Sequence, residues 1–186
     1  MSKAVKDRRI ERTRQALLGA FVQLMFDGRR YDRITIAELI ARAGVGRSTF
    51  YEHYRNKDEI LAETIRHPFA QLASSVDAHS SVAMLRDVLG HFQDNRTHAK
   101  VIFGGALRRK VARVLASMIE ERLEARAQAN GIAPDATLGI AAVAIADGQL
   151  AVVVAWLGGE IAGDARRLAT TLHRIAQAVA SDLCDR

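Results

Sequence analysis

The run TIAELIARAGVGRSTFYEHYRNKDEIL, residues 35–61, reads as two short capped helices joined by a glycine turn, with the start of a third behind them. Thr35 stands three residues before Glu38, the spacing of a reciprocal capping box, and Ile36, Leu39, Ile40 and Ala43 then give one apolar face. Gly44 ends that helix. The chain restarts at Gly46 to Ser48 and stays helical through Tyr54, and Asn56 with Glu59 repeats the capping pattern for the next helix. Two short helices around a glycine turn form a helix-turn-helix, a unit that presents the start of its second helix to a DNA groove.

Upstream, residues 7–26 carry Ile10, Leu17, Phe21 and Leu24 at helical spacing, a first helix able to hold the other two, with Arg8, Arg12 and Arg14 near its start. The charge follows the motif. The chain has 186 residues and a formal net charge of +6, but residues 1–57 hold 13 Lys+Arg against 6 Asp+Glu, while residues 58–186 hold 14 against 15. Positive charge confined to the segment with the motif is what phosphate binding requires. The spacing therefore predicts a DNA-binding domain at 1–57 and a second domain at 58–186, together long enough for a sizeable core.

Residues 9–61 resemble the N-terminal DNA-binding domain of the TetR family of bacterial transcriptional regulators, most specifically at Ala43-Gly44-Val45, Ser48-Thr49-Phe50-Tyr51, Tyr54, Lys57 and Leu61. Gly46 departs from the family's usual capping serine and Ile40 from its frequent alanine. The glycine cap costs only a few tenths of a kcal/mol relative to serine. The resemblance implies phosphate contacts for Thr35, Tyr51, His53 and Lys57 and a small-molecule effector bound in the second domain. No enzymatic activity and no cofactor are expected. Helix-turn-helix geometry itself puts Arg47, Ser48 and Thr49 at the base edges, with Arg47 as the candidate guanine reader and Tyr51 and His53 further along. Tyr54, spaced with Phe50 on the inner face, is expected in the core.

The rest of the chain is helical throughout, at about 82–92, 97–103, 107–129, from Pro134 to Gly158-Gly159, and 164–183. The fold expected is all-α: a three-helix DNA-binding domain followed by a helical effector-binding and dimerisation domain. Pro68 should kink or interrupt the fourth helix and give a hinge. Phe69, Met84, Phe92, Phe103, Met118 and Trp156 are the large side chains available to line an effector cavity or simply to fill the core. Leu168, Leu172, Ile175, Val179 and Leu183 make an apolar stripe on the last helix, and small residues from Ala141 to Ala151 would let the preceding helix approach closely. Both features suit a homodimer built on the last two helices.

Other chemistries find little purchase. Asp87, His91, Asp94 and His98 share a helical face, but Asn95-Arg96 should end that helix before His98, so no metal is expected. Ser, His and Asp are scattered, and no phosphate-loop or dinucleotide glycine pattern occurs. Cys184 is the only cysteine, which excludes an internal disulfide. Residues 138–157 are apolar, yet Asp147, Gly148 and Gln149 interrupt their centre, and charge at mid-span is costly in lipid. Residues 1–11 show no leader pattern, and a cytoplasmic site is expected. The expectation is a homodimeric repressor that binds a palindromic operator in double-stranded DNA and is relieved by a small effector. The alternatives are an architectural DNA-binding protein and, further off, a helical enzyme or lipid carrier.

Overall fold

The structure is a computed structural model describing the backbone of residues 3–185 and the side chains of residues 8–185 other than Ala106. Met1, Ser2 and Arg186, the outermost residues of the two expected domains, lie outside the described residues. The described chain forms nine α-helices: α1 Lys3–Phe26, α2 Ile36–Ala43, α3 Arg47–His53, α4 Lys57–Ala73, α5 Val82–Asp94, α6 Arg96–Phe103, α7 Arg108–Ala129, α8 Ala136–Gly158 and α9 Ala165–Cys184. Single 3-10 turns lie at Tyr31–Arg33, Ser74–Val76 and Gly105–Leu107.

Two compact units result, Met1–Ile65 and Arg66–Arg186, so the boundary falls inside α4 rather than after residue 57. The reason is the first half of α4, which completes the N-terminal core. Ile60, Leu61 and Ile65 are buried with Leu17, Phe21 and Leu24 of α1, Leu39 of α2 and Phe50 of α3. Glu63 adds a polar tie, accepting from Arg14 Nη2 at 2.5 Å and from the Tyr54 hydroxyl at 2.9 Å. Burial and that hydrogen bond to a carboxylate push the Tyr54 hydroxyl up to about 12. Ile10, placed on the α1 core stripe by its spacing, is 38% exposed.

Pro68 lies inside α4, which runs unbroken to Ala73. The expected interruption is absent: a proline removes one amide donor, and here Phe69, Leu72 and Ala73, all buried, keep the turn packed.

In the second unit α7 and α8 pack along each other, and α9 packs on α5. Leu115, Ile119, Leu123, Leu150 and Val153 are fully buried between them. The turn at Ser74–Val76 is held by side chains from far along the sequence. Gln177 Nε2 donates to the carbonyls of Ser75 (2.7 Å) and Asp77 (2.8 Å), and Arg126 Nη1 donates to that of Val76 (2.7 Å). Arg126 reaches on to Ser181 and Asp185, joining α7 to α9. Burial lifts the thiol of Cys184 above its usual range.

Candidate nucleic-acid interface

The capping expected for α2 is present in full. The Thr35 hydroxyl accepts from Glu38 N at 3.1 Å, and Thr35 N donates to Glu38 Oε2 at 3.0 Å. That backbone bond, together with Arg29, holds the Glu38 carboxyl below the usual carboxylate range. Gly44 ends α2 in the left-handed region at φ 66°, where a side chain would be strained, and Val45 N closes the turn on the Ile40 carbonyl at 3.1 Å. Asn56 starts α4 by accepting from the amides of Asp58 (2.9 Å) and Glu59 (3.1 Å). α3 lies between these two capped elements.

Burial of Phe50 and Tyr54 decides which side of α3 faces out. Phe50 is fully buried and Tyr54 is 4% exposed, whereas Tyr51, one residue on, is 48% exposed. Arg47 and Ser48 are exposed, and Thr49 and His53 are half-buried. The Arg47 guanidinium lies 5.9 Å from the Tyr51 ring centroid and makes no hydrogen bond or ion pair among the described residues. Tyr51 in turn stands edge-on against Phe50, with centroids 5.2 Å apart. A cation and a phenol are thus presented side by side by a ring locked in the core.

Two of the residues expected at phosphates are engaged inside the chain. The Lys57 ammonium donates to the carbonyls of Tyr31 (2.8 Å), Ile34 (2.8 Å) and Asp32 (3.4 Å) and lies 4.7 Å from the Tyr31 ring centroid. All three of its protons close the turn at Tyr31–Arg33 onto α4. Thr35 spends both its donors on Glu38, the amide and the hydroxyl. A phosphate contact from either residue would have to compete with these bonds. Sequence reading missed the closure because the carbonyls involved lie more than twenty residues away from Lys57.

The six large side chains considered for an effector cavity do not line one space. Phe69, Phe92 and Phe103 pack on each other, with centroids 5.7 Å apart for Phe69–Phe103 and 4.9 Å for Phe92–Phe103. Trp156 is buried and donates to the Gly163 carbonyl at 2.8 Å, closing the turn between α8 and α9. Met84 is 46% exposed and borders a cleft of about 380 Å³ with His67, Gln71 and His91. Met118 borders another of about 620 Å³ with Arg66, Asp77, Arg122 and Arg126. Among the described residues no three His, Cys, Asp or Glu side chains come together to hold a metal ion.

The stripe expected on α9 is split. Leu168 (7%) and Leu172 (3%) are covered within the chain, Val179 and Leu183 are half-buried, and Ile175 is 55% exposed. At about 100° per residue the stripe is centred roughly 80° away from the buried line of the helix, and Ile175 lies furthest from that line. Residues 169, 172, 176, 180 and 184 form the line that is actually buried. On α8 the exposed side includes Ile140 (72%) and Val143 (53%) with Ala144, Asp147, Gly148 and Ala151, while Gln149 is buried. By length and composition α8 could cross a membrane, but 44% of its most apolar window is buried in the chain.

A helix-turn-helix in a three-helix unit, completed by the first half of α4, defines a helical DNA-binding domain. The profile of the bacterial regulatory proteins of the tetR family matches residues 25–64, which span the end of α1 through the first half of α4. Over 75 residues the chain is 37% identical to the uncharacterized HTH-type transcriptional regulator YxbF of Bacillus subtilis (strain 168), a match covering 40% of this chain and 20% of that protein. The chain thus spans a fifth of the length of that relative. Its fold resembles the crystal structure of a TetR transcriptional regulator from Streptococcus agalactiae 2603V, with TM-score 0.59, 24% identity, and coverage of 95% of this chain and 99% of that one. It also resembles the dihydroxyacetone kinase operon activator DhaS, with TM-score 0.50, 17% identity, and coverage of 92% and 97%. Residues 25–64 thus carry the DNA-binding region characteristic of the TetR family of transcriptional regulators.

Proposed function

We propose that the protein is a cytoplasmic, homodimeric repressor that reads a palindromic operator with α3 and releases it when a small molecule binds the second unit. The observation that carries DNA reading is Arg47, exposed and without a hydrogen bond or ion pair among the described residues, at the first turn of a helix flanked by the capped starts of α2 and α4. Ser48, Thr49, Tyr51 and His53 share its surroundings on α3. Two-fold pairing is supported by the uncovered apolar side chains Ile140 and Val143 on α8 and Ile175 on α9, and by the need for two recognition helices one duplex turn apart. The effector role rests on the family and on the two clefts of the second unit. DhaS, an activator by name, has a similar fold, so the fold by itself does not fix the sign of regulation.

Arg47→Ala should cost about 1–3 kcal/mol of operator affinity and relax preference at one position. Lys57→Ala should act differently, lowering the thermal stability of the N-terminal unit as the three carbonyls lose their donor, and weakening all DNA sequences alike. Binding titrations on operator and scrambled duplexes, run beside thermal melts, separate the two. Equal sequence-independent losses with unchanged melting in both variants would remove Arg47 from base reading.

A further inference from the structure

Between Asn95 and Ile119 the chain carries six Lys and Arg (Arg96, Lys100, Arg108, Arg109, Lys110 and Arg113) and no Asp or Glu. The rest of residues 66–186 holds 8 Lys+Arg against 12 Asp+Glu, so this band opposes the charge of its own unit. It folds as α6, the turn at Gly105–Leu107 and the first half of α7, which touch one another. Lys100, Arg109 and Arg113 are exposed, and none makes a hydrogen bond or ion pair among the described residues. Arg108 reaches Asp147 only at 3.9 Å, and its Nε is buried without an acceptor.

An ordinary solvated helix face interleaves both signs. Here Arg96 with Lys100 and Arg109 with Arg113 are like charges one turn apart, an unfavourable spacing. The first turn of α7 adds Arg108, Arg109 and Lys110 with no acid, against the helix dipole. Among the described residues Lys100, Arg109 and Arg113 meet no acid that would offset this cost, and an anionic partner would. The apolar side of α7 is spent on the core, with Val111, Ala112, Leu115, Ala116 and Ile119 buried, and the large apolar side chain the band leaves exposed is Val101 of α6, at 39%, too little to insert into a bilayer. No aromatic anchor of the kind that centres a protein interface stands among the exposed cations. A phosphate backbone needs only the charge.

We propose that the acid-free basic band of α6 and the start of α7 is a second contact surface for the phosphate backbone of duplex DNA. This rests on the DNA-binding reading above. The test measures affinity for a random-sequence duplex against salt concentration, using the full chain, the Lys100→Gln, Arg109→Gln, Arg113→Gln triple variant and Arg47→Ala. The triple variant should lose about 2 to 3 units of salt slope, roughly one for each phosphate contact, with unchanged base preference and a melting temperature no lower than wild type. Arg109→Lys with Arg113→Lys, which keeps the charge, should keep the slope. Wild-type slope and affinity in the triple variant would overturn the band while leaving DNA binding intact; so would a loss shared by the charge-retaining variant. Failure of the wild-type chain to bind any duplex would overturn both readings. Anionic vesicles bound by wild type and lost in the triple variant, with DNA binding unaltered, would reassign the band to lipid.

Discussion

Ile140→Glu combined with Ile175→Glu should turn the dimer into folded monomers and abolish operator binding. Both side chains are mostly exposed in the single chain, at 72% and 55%, so glutamate there meets water and leaves the fold intact. In the dimer proposed here each would be an unpaired charge buried between helices. Removal of a partner from a buried pair costs about 3–5 kcal/mol, and a penalty of that order raises the dimer dissociation constant by two to four decades. Leu172 is unsuited to this experiment because it is 3% exposed within its own chain, where a charge would unfold the monomer. Sedimentation and operator titration report the outcome, and a folded dimer with unaltered operator affinity would place the two-fold contact elsewhere.

Phe50→Ala should have a comparable effect by a different route. Phe50 is fully buried, and it backs the ring of Tyr51 and that of Tyr54. Truncation of a buried phenylalanine costs about 3–5 kcal/mol. A unit of some 65 residues holds only about 3–10 kcal/mol in total. The N-terminal unit should therefore unfold or melt tens of degrees lower, losing amide exchange protection in α1 to α3 and all operator binding. Protection in α7 to α9 should persist. Uniform loss of protection over both units would contradict the independent N-terminal core.

The parts of this molecule legible in the sequence are those set by neighbours in the chain. The Thr35–Glu38 box, the Gly44 turn and the Asn56 cap act over three to five residues, and the structure shows each of them. Phe50 and Tyr54, four residues apart, share the buried face by helical period, and Tyr51, about 100° round from Phe50, lies off it. Features decided by distant partners were not legible. Lys57 carries the residue type of a phosphate ligand, and only the fold brings the carbonyls of Tyr31 and Ile34 to its ammonium. Arg126 gives no local sign that it will bridge Val76, Ser181 and Asp185. The α9 stripe is correct in composition, yet period alone could not say that α5 covers one edge of it and leaves Ile175 open. The aromatic residues of the second unit looked equally fit for a cavity or a core, and Phe69, Phe92 and Phe103 chose each other.

Selection of bound duplexes from a random pool by the full chain reads out sequence recognition by α3 directly. The account predicts one enriched, roughly palindromic site whose half-sites are centred one helical turn, some 34–36 Å, apart or a multiple of it. It also predicts that Arg47→Ala relaxes one symmetric pair of positions in that site. A pool that stays unenriched while binding remains salt-sensitive, or an enriched site with no two-fold symmetry, would contradict it.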